Sequence, residues 1–246
     1  MRDYKAELEN RIQFVRDLLK KTGAKGIIFG NSGGKDSALV GIICKMACEN
    51  TVGIIMPCAS KQNYGSDTDD ANAVAKKFGI ENRTVDLTAA REQIIKGASK
   101  VSELSPEAIS NIAPRLRMAT LYAIGQSEGR LVAGTGNRSE AYMGYFTKWG
   151  DGAHDFNVIF DLTATEVFEF LRYLEAPLSI IEKAPSAGLY DGQTDEKDMG
   201  VTYAAIDRFI TTGEANEKDR ATIERYHKRS LHKLEPIVRY GGIEKP

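Results

Sequence analysis

The chain has few cysteines, and their number and placement exclude a disulfide framework. Its 246 residues include three, Cys44, Cys48 and Cys58, too few for a protein held together by disulfides. Cys44 and Cys48 lie four residues apart on a predicted helix, but two ligands do not complete a zinc site. We therefore interpret the thiols as buried core groups of a protein that stays reduced.

The net charge is also small, and long apolar runs are absent from the sequence. The 33 Lys and Arg residues nearly cancel the 34 Asp and Glu residues, which leaves a formal charge of −1, so no basic surface predicts binding to nucleic acid. No apolar run approaches membrane-spanning length, and the charged stretch at residues 1–5 is unlike a signal peptide. We expect a cytoplasmic protein without nucleic-acid or membrane partners, folded as one domain over residues 1–246.

The most informative segment is residues 27–37, which read Ile-Ile-Phe-Gly-Asn-Ser-Gly-Gly-Lys-Asp-Ser. A short apolar strand, a glycine turn and the start of a helix together form an anion site, because unpaired N–H groups and the positive end of the helix dipole converge there. Ser32 and Ser37 add hydroxyl groups, and Lys35 adds a cation. Asp36 would repel phosphate unless a metal ion lay between them, so the segment predicts a site for a metal-bound phosphate chain.

This segment is not an ordinary P-loop. That motif reads G-x-x-x-x-G-K-[ST], whereas Phe29 stands at its first glycine and Asp36 at its Ser/Thr position. The remaining Ser-Gly-Gly-Lys-Asp-Ser resembles the pyrophosphate loop of the N-type ATP pyrophosphatases, which cleave ATP between the α and β phosphates and adenylate a substrate oxygen. The alternative interpretation is a glycine-rich strand–helix turn with a capping Asp or Ser, as in any doubly wound fold.

Strand and helix patterns alternate along the chain, which predicts an α/β fold. Such alternation is typical of a doubly wound parallel sheet flanked by helices, Rossmann-like, with ligands at the C-terminal ends of the strands. Past residue 176 the sequence is rich in loop residues as far as Met199. The predicted strands are Gly26–Gly30, Thr51–Met56, Asn82–Val85 and Arg130–Ala133, and the predicted helices are one ended by Gly23, then Ser37–Asn50, Ser66–Phe78, Thr88–Lys100, Pro114–Ser127, Leu162–Leu174, Tyr203–Thr211 and Ala215–His227.

A second glycine-rich turn follows the strand at residues 130–133. Gly-Thr-Gly-Asn-Arg-Ser-Glu nearly matches a dinucleotide fingerprint, but Ser139 holds the third glycine position, so hydride transfer is a weak alternative. If this strand end lies beside the first loop, Asp36 and Glu140 would place two carboxylates around one Mg²⁺, a number that suits magnesium bound to phosphate oxygens. The simpler interpretation of Glu140 is a solvated helix N-terminus.

Residues 144–155 have no helical or strand period. Glycines punctuate aromatic and charged residues in Gly-Tyr-Phe-Thr-Lys-Trp-Gly-Asp-Gly-Ala-His-Asp, a pattern that favours a functional loop over a packed element. Its aromatic rings are suited to covering a nicotinamide-type ring, and Lys148 to neutralising phosphate or a developing oxyanion. A plain surface loop is the alternative.

Two further groups of basic residues are candidates for anion binding. Arg115 and Arg117 lie two apart, so on a helix they point different ways; we expect one to bind phosphate or carboxylate and the other an internal acid. His227 and Lys228 stand at the end of a predicted helix, where a favourable interaction with the helix dipole would explain them equally well.

Taken in order, these segments resemble ammonia-dependent NAD synthetases. The resemblance covers most of the chain and is carried by the segments Ser32–Ser37, Asn111–Tyr122, Gly134–Asp155 and Pro185–Tyr203. The aromatic loop at residues 144–152 is its most specific part, because thiolating and amidating relatives share the pyrophosphate loop. A fold similar to the adenine-nucleotide α-hydrolases is implied.

The resemblance implies a ligase that amidates deamido-NAD with ammonia, using ATP as co-substrate and Mg²⁺ as cofactor, and releases NAD, AMP and pyrophosphate. It also implies a homodimer with the substrate site at the interface. A separate glutaminase domain is not expected. The implied site residues are Gly30, Asn31, Ser32, Gly33, Gly34, Lys35, Asp36, Ser37, Thr135 and Ser186 for ATP; Asp36 and Glu140 for Mg²⁺; Arg115, Lys148, Asp155, His227 and Lys228 for deamido-NAD; and Lys35, Asp36, Lys148 and Asp151 for catalysis.

The chain departs from the family pattern at two positions. Ala164 stands where family members often carry an ATP-contacting Lys, and we expect Lys35 to supply that charge. Ser230 interrupts a basic C-terminal motif after Arg229. Two other functions remain open from the sequence, a tRNA-modifying ATP pyrophosphatase and a non-catalytic adenine-nucleotide sensor.

Overall fold

The protein is built around one parallel β-sheet. The computed structural model describes residues 2–58, 60–183, 185–186 and 194–240. The sheet order is β3-β2-β1-β4-β5, and every neighbouring pair is parallel. The α/β fold with a doubly wound parallel sheet, predicted from the alternating pattern, is confirmed. The strands are β1 (Gly26–Gly30), β2 (Thr51–Ile55), β3 (Glu81–Thr84), β4 (Arg130–Gly134) and β5 (Phe156–Asn157).

Helices cover both faces of this sheet. Helices α1, α2 and α9 pack together on one face and α7 packs on the other. The helices are α1 (Tyr4–Thr22), α2 (Lys35–Ala47), α3 (Lys61–Tyr64), α4 (Ser66–Phe78), α5 (Thr88–Ala98), α6 (Pro106–Ser110), α7 (Ile112–Glu128), α8 (Arg138–Met143), α9 (Ala164–Tyr173), α10 (Leu178–Ile181), α11 (Asp195–Met199), α12 (Tyr203–Thr212) and α13 (Glu217–Ser230), followed by a 3₁₀ turn at Leu231–Lys233.

Most predicted elements lie where the pattern placed them. Gly23 ends α1 in the left-handed conformation, with φ of 71°, and α4 has the predicted bounds. The second predicted helix was placed too late, because α2 begins at Lys35, inside the glycine turn. Pro114 was expected at the first position of its helix, but α7 begins at Ile112. The prediction of a loop-rich region as far as Met199 missed α10 and α11, which are too short to show a helical period.

The core lies on both sides of the central strands. Phe29, Ile27 and Phe170 belong to the cluster on one face, and Ile28 and Val132 to the cluster on the other. A third cluster joins α8, α12 and α13. Burial of strand residues on both faces explains the uninterrupted apolar runs in β1 and β2. Within the described part of the chain, no helix combines the length and apolarity needed to cross a membrane.

The cysteines contribute to this packing. Cys44 and Cys58 are buried, Cys48 is half-buried, and all three are free thiols. Burial raises the pKa of the Cys44 thiol well above its ordinary value. A thiol held in its neutral form is a poor nucleophile and a poor metal ligand, which agrees with the interpretation of Cys44 as a core group.

The strand order reverses its direction between β1 and β4. The chain runs outward from β1 through β2 to β3 and then returns to β4 on the other side of β1. The loops after β1 and β4 therefore leave neighbouring strands in opposite directions. In doubly wound sheets, ligands bind in the crevice at such a switch point.

Candidate active site

The pyrophosphate loop follows β1 and leads directly into α2. The Ser32 and Ser37 hydroxyl oxygens lie 3.0 Å apart, and the Gly34 N–H donates to Ser32 Oγ at 3.3 Å. Gly33 adopts a φ of 71°, a conformation that costs glycine nothing. The first turn of the 13-residue helix α2 thus points its N–H groups into the crevice, which makes the loop suitable for binding phosphate.

Asn31 has a supporting role in this loop. Its side chain is buried and donates to the Ala71 carbonyl at 3.3 Å and to Asn82 Oδ1 at 3.1 Å. Its backbone N–H donates to the Ile54 carbonyl at 2.9 Å. These bonds fasten the loop to α4, β2 and β3.

The loop after β4 brings a second carboxylate to the same place. Asn137 caps α8 and forms a capping box with Glu140, with both bonds at 3.0 Å. The Asn137 side-chain amide also donates to Asp36 Oδ1 at 3.0 Å. One asparagine therefore ties Asp36 and Glu140 together across the switch point. Glu140 therefore completes a helix cap and also lines the cavity beside the pyrophosphate loop, and its role as a Mg²⁺ ligand stays a prediction.

Charge is concentrated around this pair. Burial and the nearby Asp36 charge raise the pKa of Glu140 well above its ordinary value. Burial alone would lower the pKa of Lys35, but Asp36, Glu140 and Asp195 raise it. Asp195 lies at the start of α11, in the region predicted to be loop, and was not anticipated as part of the site.

These residues fit a magnesium ion bound together with phosphate. Among the described residues no cluster of three or more His, Cys, Asp or Glu side chains is arranged to hold a metal. Asp36 and Glu140 supply two carboxylates, and magnesium is usually held by one or two carboxylates plus phosphate oxygens and water. Burial, and after it the Asp36 charge, raises the pKa of Glu140, and a divalent cation bound between the two carboxylates would favour the charged form of Glu140.

A cavity of about 940 Å³ opens over this charged group. Its walls come from both glycine loops, from α6 and α7, from the aromatic loop and from the C-terminal part of the chain. It is large enough for more than one small ligand. Of the predicted site residues, the cavity is lined by Gly30, Asn31, Ser32, Gly34, Lys35, Asp36, Ser37, Thr135, Glu140, Asp151 and Ser186.

The aromatic loop is an ordered wall of this cavity. Thr147 is buried, and its hydroxyl group donates to Asn111 Oδ1 at 2.6 Å. Asp151 Oδ1 accepts the Thr147 N–H at 2.9 Å, and the Gly150 N–H donates to the Thr147 carbonyl at 2.9 Å. Trp149 is 53% exposed with a φ of 62°. Asp151 thus holds the loop's own turn, in addition to facing the cavity.

Three predicted substrate residues, Arg115, Lys148 and Asp155, are not among the described residues that line the cavity. The Lys148 ammonium donates to the His232 carbonyl at 2.5 Å, and Arg115 reaches the Lys148 carbonyl at 3.4 Å. Asp155 accepts the Val132 N–H at 2.8 Å and the Tyr122 hydroxyl at 3.1 Å. Burial and the Asp155 charge raise the pKa of Tyr122 to about 12. Asp155 therefore fastens the aromatic loop to β4 and α7.

Arg117, rather than Arg115, faces the cavity. It donates to the Met56 carbonyl and to Asn63 Oδ1, each at 3.1 Å. Asp151 and Asp67 also interact electrostatically with Arg117, so the expectation that one arginine of the pair binds an internal acid stays a prediction. Burial lowers the pKa of Arg117.

The C-terminal basic residues are arranged differently from the expectation. His227 stacks on Tyr142, with ring centroids 4.1 Å apart, and its Nδ1 lies 2.9 Å from the Tyr142 carbonyl. Lys228 is exposed, and neither residue is among the described residues that line the cavity. The role proposed for this pair in substrate binding stays a prediction.

A second His-Lys pair does reach the cavity. His232 and Lys233 line it, and the Lys233 ammonium donates to the Gly144 and Phe146 carbonyls at 2.7 and 2.6 Å. Burial lowers the pKa of Lys233. The recurrence of His-Lys five residues after the first pair was the available sequence signal. The helix was expected to end at His227, whereas α13 continues to Ser230 and carries the second pair round to the aromatic loop.

Lys183 was also missed by the sequence analysis. Its ammonium donates to Asp67 at 2.8 Å, to Asp70 at 2.7 Å and to the Gly33 carbonyl at 3.3 Å. It therefore joins the segment before Ser186 to the pyrophosphate loop. Residues 187–193 of the resemblance segment Pro185–Tyr203 lie outside the described residues.

Ala164 is buried in the core as the first residue of α9, where its N–H donates to Ser139 Oγ at 3.0 Å. The Lys35 ammonium lies 5.7 Å from the ring centroid of Phe168, one turn further along the same helix. Lys35 thus directs its charge toward the first turns of α9. Its contact with phosphate stays a prediction.

The fold and site together define a nucleotide-binding α/β protein whose phosphate loop and carboxylate pair meet at the switch point of a doubly wound sheet. The chain belongs to the NAD synthase family, whose model matches residues 7–240.

Individual relatives agree with this assignment. The NH3-dependent NAD synthetase of Carboxydothermus hydrogenoformans is 42% identical over 94% of this chain and 95% of its own length. That of Archaeoglobus fulgidus is 40% identical over 98% and 99%. The NMN synthetase of Francisella tularensis has a TM-score of 0.92 at 35% identity, covering 98% of this chain and 100% of its own. The NH3-dependent NAD synthetase of Campylobacter jejuni has a TM-score of 0.77 at 26% identity, covering 96% and 99%. These similarities do not favour the tRNA-modifying or sensor functions.

Proposed function

We propose that this chain is an ammonia-dependent ligase that converts deamido-NAD, ATP and ammonia to NAD, AMP and pyrophosphate. One observation carries the proposal: in a member of the NAD synthase family, the phosphate-binding loop after β1 meets the Asp36–Glu140 carboxylate pair at the switch point. The names of the relatives, NH3-dependent NAD synthetases, support ammonia as the nitrogen donor.

The first step activates a carboxylate. An oxygen of the nicotinate carboxylate attacks the α-phosphorus of ATP, the bond from that phosphorus to the bridging oxygen breaks, and pyrophosphate leaves. The product is an acyl-adenylate. Binding both reactants in one cavity supplies proximity and orientation, which account for much of the rate enhancement in such transfers.

The second step forms the amide. Ammonia attacks the acyl carbon, the acyl–oxygen bond breaks, AMP leaves, and the nitrogen loses one proton to solvent. Because water would hydrolyse the adenylate, the site needs a wall that excludes it. The aromatic loop, held by Thr147 and Asp151 over the cavity, supports that role.

We assign ATP to the first glycine loop. The N–H groups at the start of α2, with Ser32 and Ser37, would bind its phosphates, and Thr135 and Ser186 would contact it from the facing wall. Asp36 and Glu140 would hold Mg²⁺. When bound there, magnesium neutralises charge that develops on the phosphate oxygens.

The rim of the cavity suggests how the substrate is held. Lys233 and Arg229 line the cavity, and Arg is suited to bidentate binding of phosphate oxygens. Lys148 donates to the carbonyl of His232, which also lines the cavity, and Arg115 donates to the Lys148 carbonyl. We propose that these cations bind the substrate's phosphates, with Lys233 supplying the contact first assigned to Lys228.

The decisive assay mixes purified protein with ATP, Mg²⁺, deamido-NAD and ammonium, then measures NAD by a coupled dehydrogenase and AMP by chromatography. Equal amounts of NAD and AMP, each dependent on all four components, are the expected result. Pyrophosphate without NAD would mean that the acceptor or nitrogen donor is wrong. Absence of ATP cleavage would contradict the proposal and favour a nucleotide sensor.

A mononucleotide is the second candidate substrate. The Francisella tularensis NMN synthetase fits this fold with a TM-score of 0.92, against 0.77 for the Campylobacter jejuni NAD synthetase. The same two steps applied to nicotinate mononucleotide would yield NMN. Comparison of kcat/KM for the two carboxylate substrates decides between them: a higher value for the mononucleotide would replace deamido-NAD in the proposal.

We also propose a homodimer with the substrate site at its interface, as the family resemblance implies, and a cytoplasmic location, as expected from the composition. Sedimentation equilibrium tests the assembly, since a 27.0 kDa chain should give twice that mass. A monomer that is fully active would contradict a shared site.

A further inference from the structure

Lys35 turns inward from the pyrophosphate loop. It is the first residue of α2 and is 5% exposed. Its ammonium lies 5.7 Å from the ring centroid of Phe168 in α9 and 5.2 Å from that of Tyr203 in α12. Distances below about 6 Å from ring faces stabilise a cation. Three elements therefore hold the ammonium at one place beside the cavity.

At that place the Lys35 ammonium bonds to one carboxylate oxygen of Asp36. Lys35 Nζ lies 2.5 Å from Asp36 Oδ2, while Asn137 donates to Asp36 Oδ1. Both oxygens of this carboxylate are thus engaged by groups of the protein. A divalent ion at Asp36 Oδ2 would compete with the ammonium, because two cations at one oxygen repel each other.

While the nucleotide is absent, the surrounding negative charge stabilises the Lys35 ammonium in its position beside Asp36. Asp36, Glu140 and Asp195 all interact electrostatically with Lys35, so three carboxylates face one cation. A bound triphosphate changes this balance, because it gives the ammonium new anionic partners within the same cavity, which both Lys35 and Asp36 line.

We propose that Lys35 is an internal cation that holds Asp36 until a nucleoside triphosphate arrives, so that divalent metal binding depends on bound nucleotide. The inference rests on the proposed function only in assigning ATP and a divalent ion to this site. Without nucleotide, the protein binds the metal weakly because Lys35 competes for Asp36. With nucleotide, Lys35 moves to the phosphates and Asp36 becomes available. By linkage, the metal must strengthen nucleotide binding by the same factor.

The test measures metal binding without turnover. Electron paramagnetic resonance of free Mn²⁺ gives the Mn²⁺ affinity with and without α,β-methylene ATP, which cannot be cleaved at the reacting bond. For the natural sequence, we expect the analogue to raise Mn²⁺ affinity by about tenfold or more, within the usual range of coupling between sites. Equal affinities in its presence and absence would overturn the proposal without any variant.

Lys35→Met removes the charge and keeps most of the side-chain length. We expect Mn²⁺ to bind the nucleotide-free variant about tenfold more tightly than the natural protein, and the enhancement by the analogue to shrink correspondingly. Lys45→Met is the matched control, since Lys45 lies on the same helix and pairs with exposed Glu49. Its Mn²⁺ affinities should equal those of the natural protein.

A purely structural role for Lys35 predicts the opposite pattern. Lys35→Met would then lower stability, seen in a thermal melt, and leave nucleotide-free Mn²⁺ affinity unchanged, which would overturn the proposal. If Lys35→Met does not fold, Lys35→Gln provides a second uncharged side chain with the same expectation. Because neither measurement uses deamido-NAD, coupled Mn²⁺ binding without amidation would contradict only the proposed function, and amidation without coupling would contradict only this inference.

Discussion

Gly33 is the position in the pyrophosphate loop where the structure leaves least room for a side chain. Its φ is +71°, and a Cβ built on it would lie 2.1 Å from the Asp67 carbonyl oxygen, where real Cβ contacts below 3.0 Å essentially never occur. The obstacle is backbone, at the first turn of α4. Asp67 is in turn held by Asn63 and Lys183. Gly33→Ala must therefore displace either the loop or the helix.

Two energy terms add at this position. A left-handed conformation costs an L-residue about 1–2 kcal/mol relative to glycine, and forcing an extra carbon into a packed site costs about 1–3 kcal/mol. Gly33→Ala should thus lose about 2–5 kcal/mol of unfolding free energy. For a chain of this length, each kcal/mol lowers Tm by about 2–4 °C, so we expect a fall of about 4–20 °C.

Substitutions at two other glycines test the backbone strain and the steric overlap separately. Gly23 has the same φ of +71° with no atom within 4 Å of a built Cβ, so Gly23→Ala should lose only the strain, about 1–2 kcal/mol. Gly34 is extended, with φ of −94°, and its Cβ would meet only Ser32 Oγ at 3.3 Å. Gly34→Ala should therefore leave Tm nearly unchanged.

The assay is thermal unfolding of the three variants, followed by titration with the non-cleavable ATP analogue. A hydrogen bond to a charged phosphate is worth about 1.5–3 kcal/mol, and about 1.4 kcal/mol is tenfold in affinity, so Gly33→Ala should weaken binding of the analogue at least about tenfold. Gly23→Ala should bind it normally, because α1 ends away from the cavity. If Gly33→Ala is no less stable than Gly23→Ala, the contact with Asp67 does not constrain the loop and the reasoning is refuted.

Three further predictions concern single side chains. Asp36→Asn should reduce Mg²⁺-dependent ATP cleavage at least about 100-fold, and normal cleavage would remove its metal role. Lys233→Met should lower kcat/KM by about 10- to 100-fold, because charged hydrogen bonds are worth about 1.5–3 kcal/mol, while exposed Lys228→Met should stay within about twofold; equal effects would contradict the substrate site proposed here. His154 packs on Gly134, and burial lowers its pKa, so the unfolded chain takes up a proton first as pH falls through about 6.5 and stability drops. His154→Phe should flatten that acid slope in pH-dependent denaturation, and an unchanged slope would exclude His154 as its origin.

Much of the fold was predictable because its causes are local. The apolar run before Gly30 predicts a buried strand, and the period of α1 with Gly23 after it predicts a helix and its end. These patterns depend on backbone sterics and on side-chain spacing within a few residues. Short elements such as α8 were not predicted, because six residues do not establish a helical period.

The candidate site was predictable only in part. Asp36 and Glu140 were expected to meet, and Asn137, which bonds to both, brings them together. Lys148 was expected at the reacting group, which stays a prediction, and its bond to the His232 carbonyl could not be anticipated. A linear pattern identifies which residue types lie in a loop, but the direction of a long flexible side chain depends on neighbours distant in the chain.

The amino-acid sequence by itself determined the class of the protein, through the glycine loop after β1 and the alternation that produces a parallel sheet. Only the tertiary structure decided which charges share one cavity. Lys35 lies beside Tyr203, and Lys233 donates to the Phe146 carbonyl, because α12 and α13 pack against α8 near the switch point. Those contacts join residues far apart in sequence, and their energies depend on burial and on the distance between charges, which no local pattern contains.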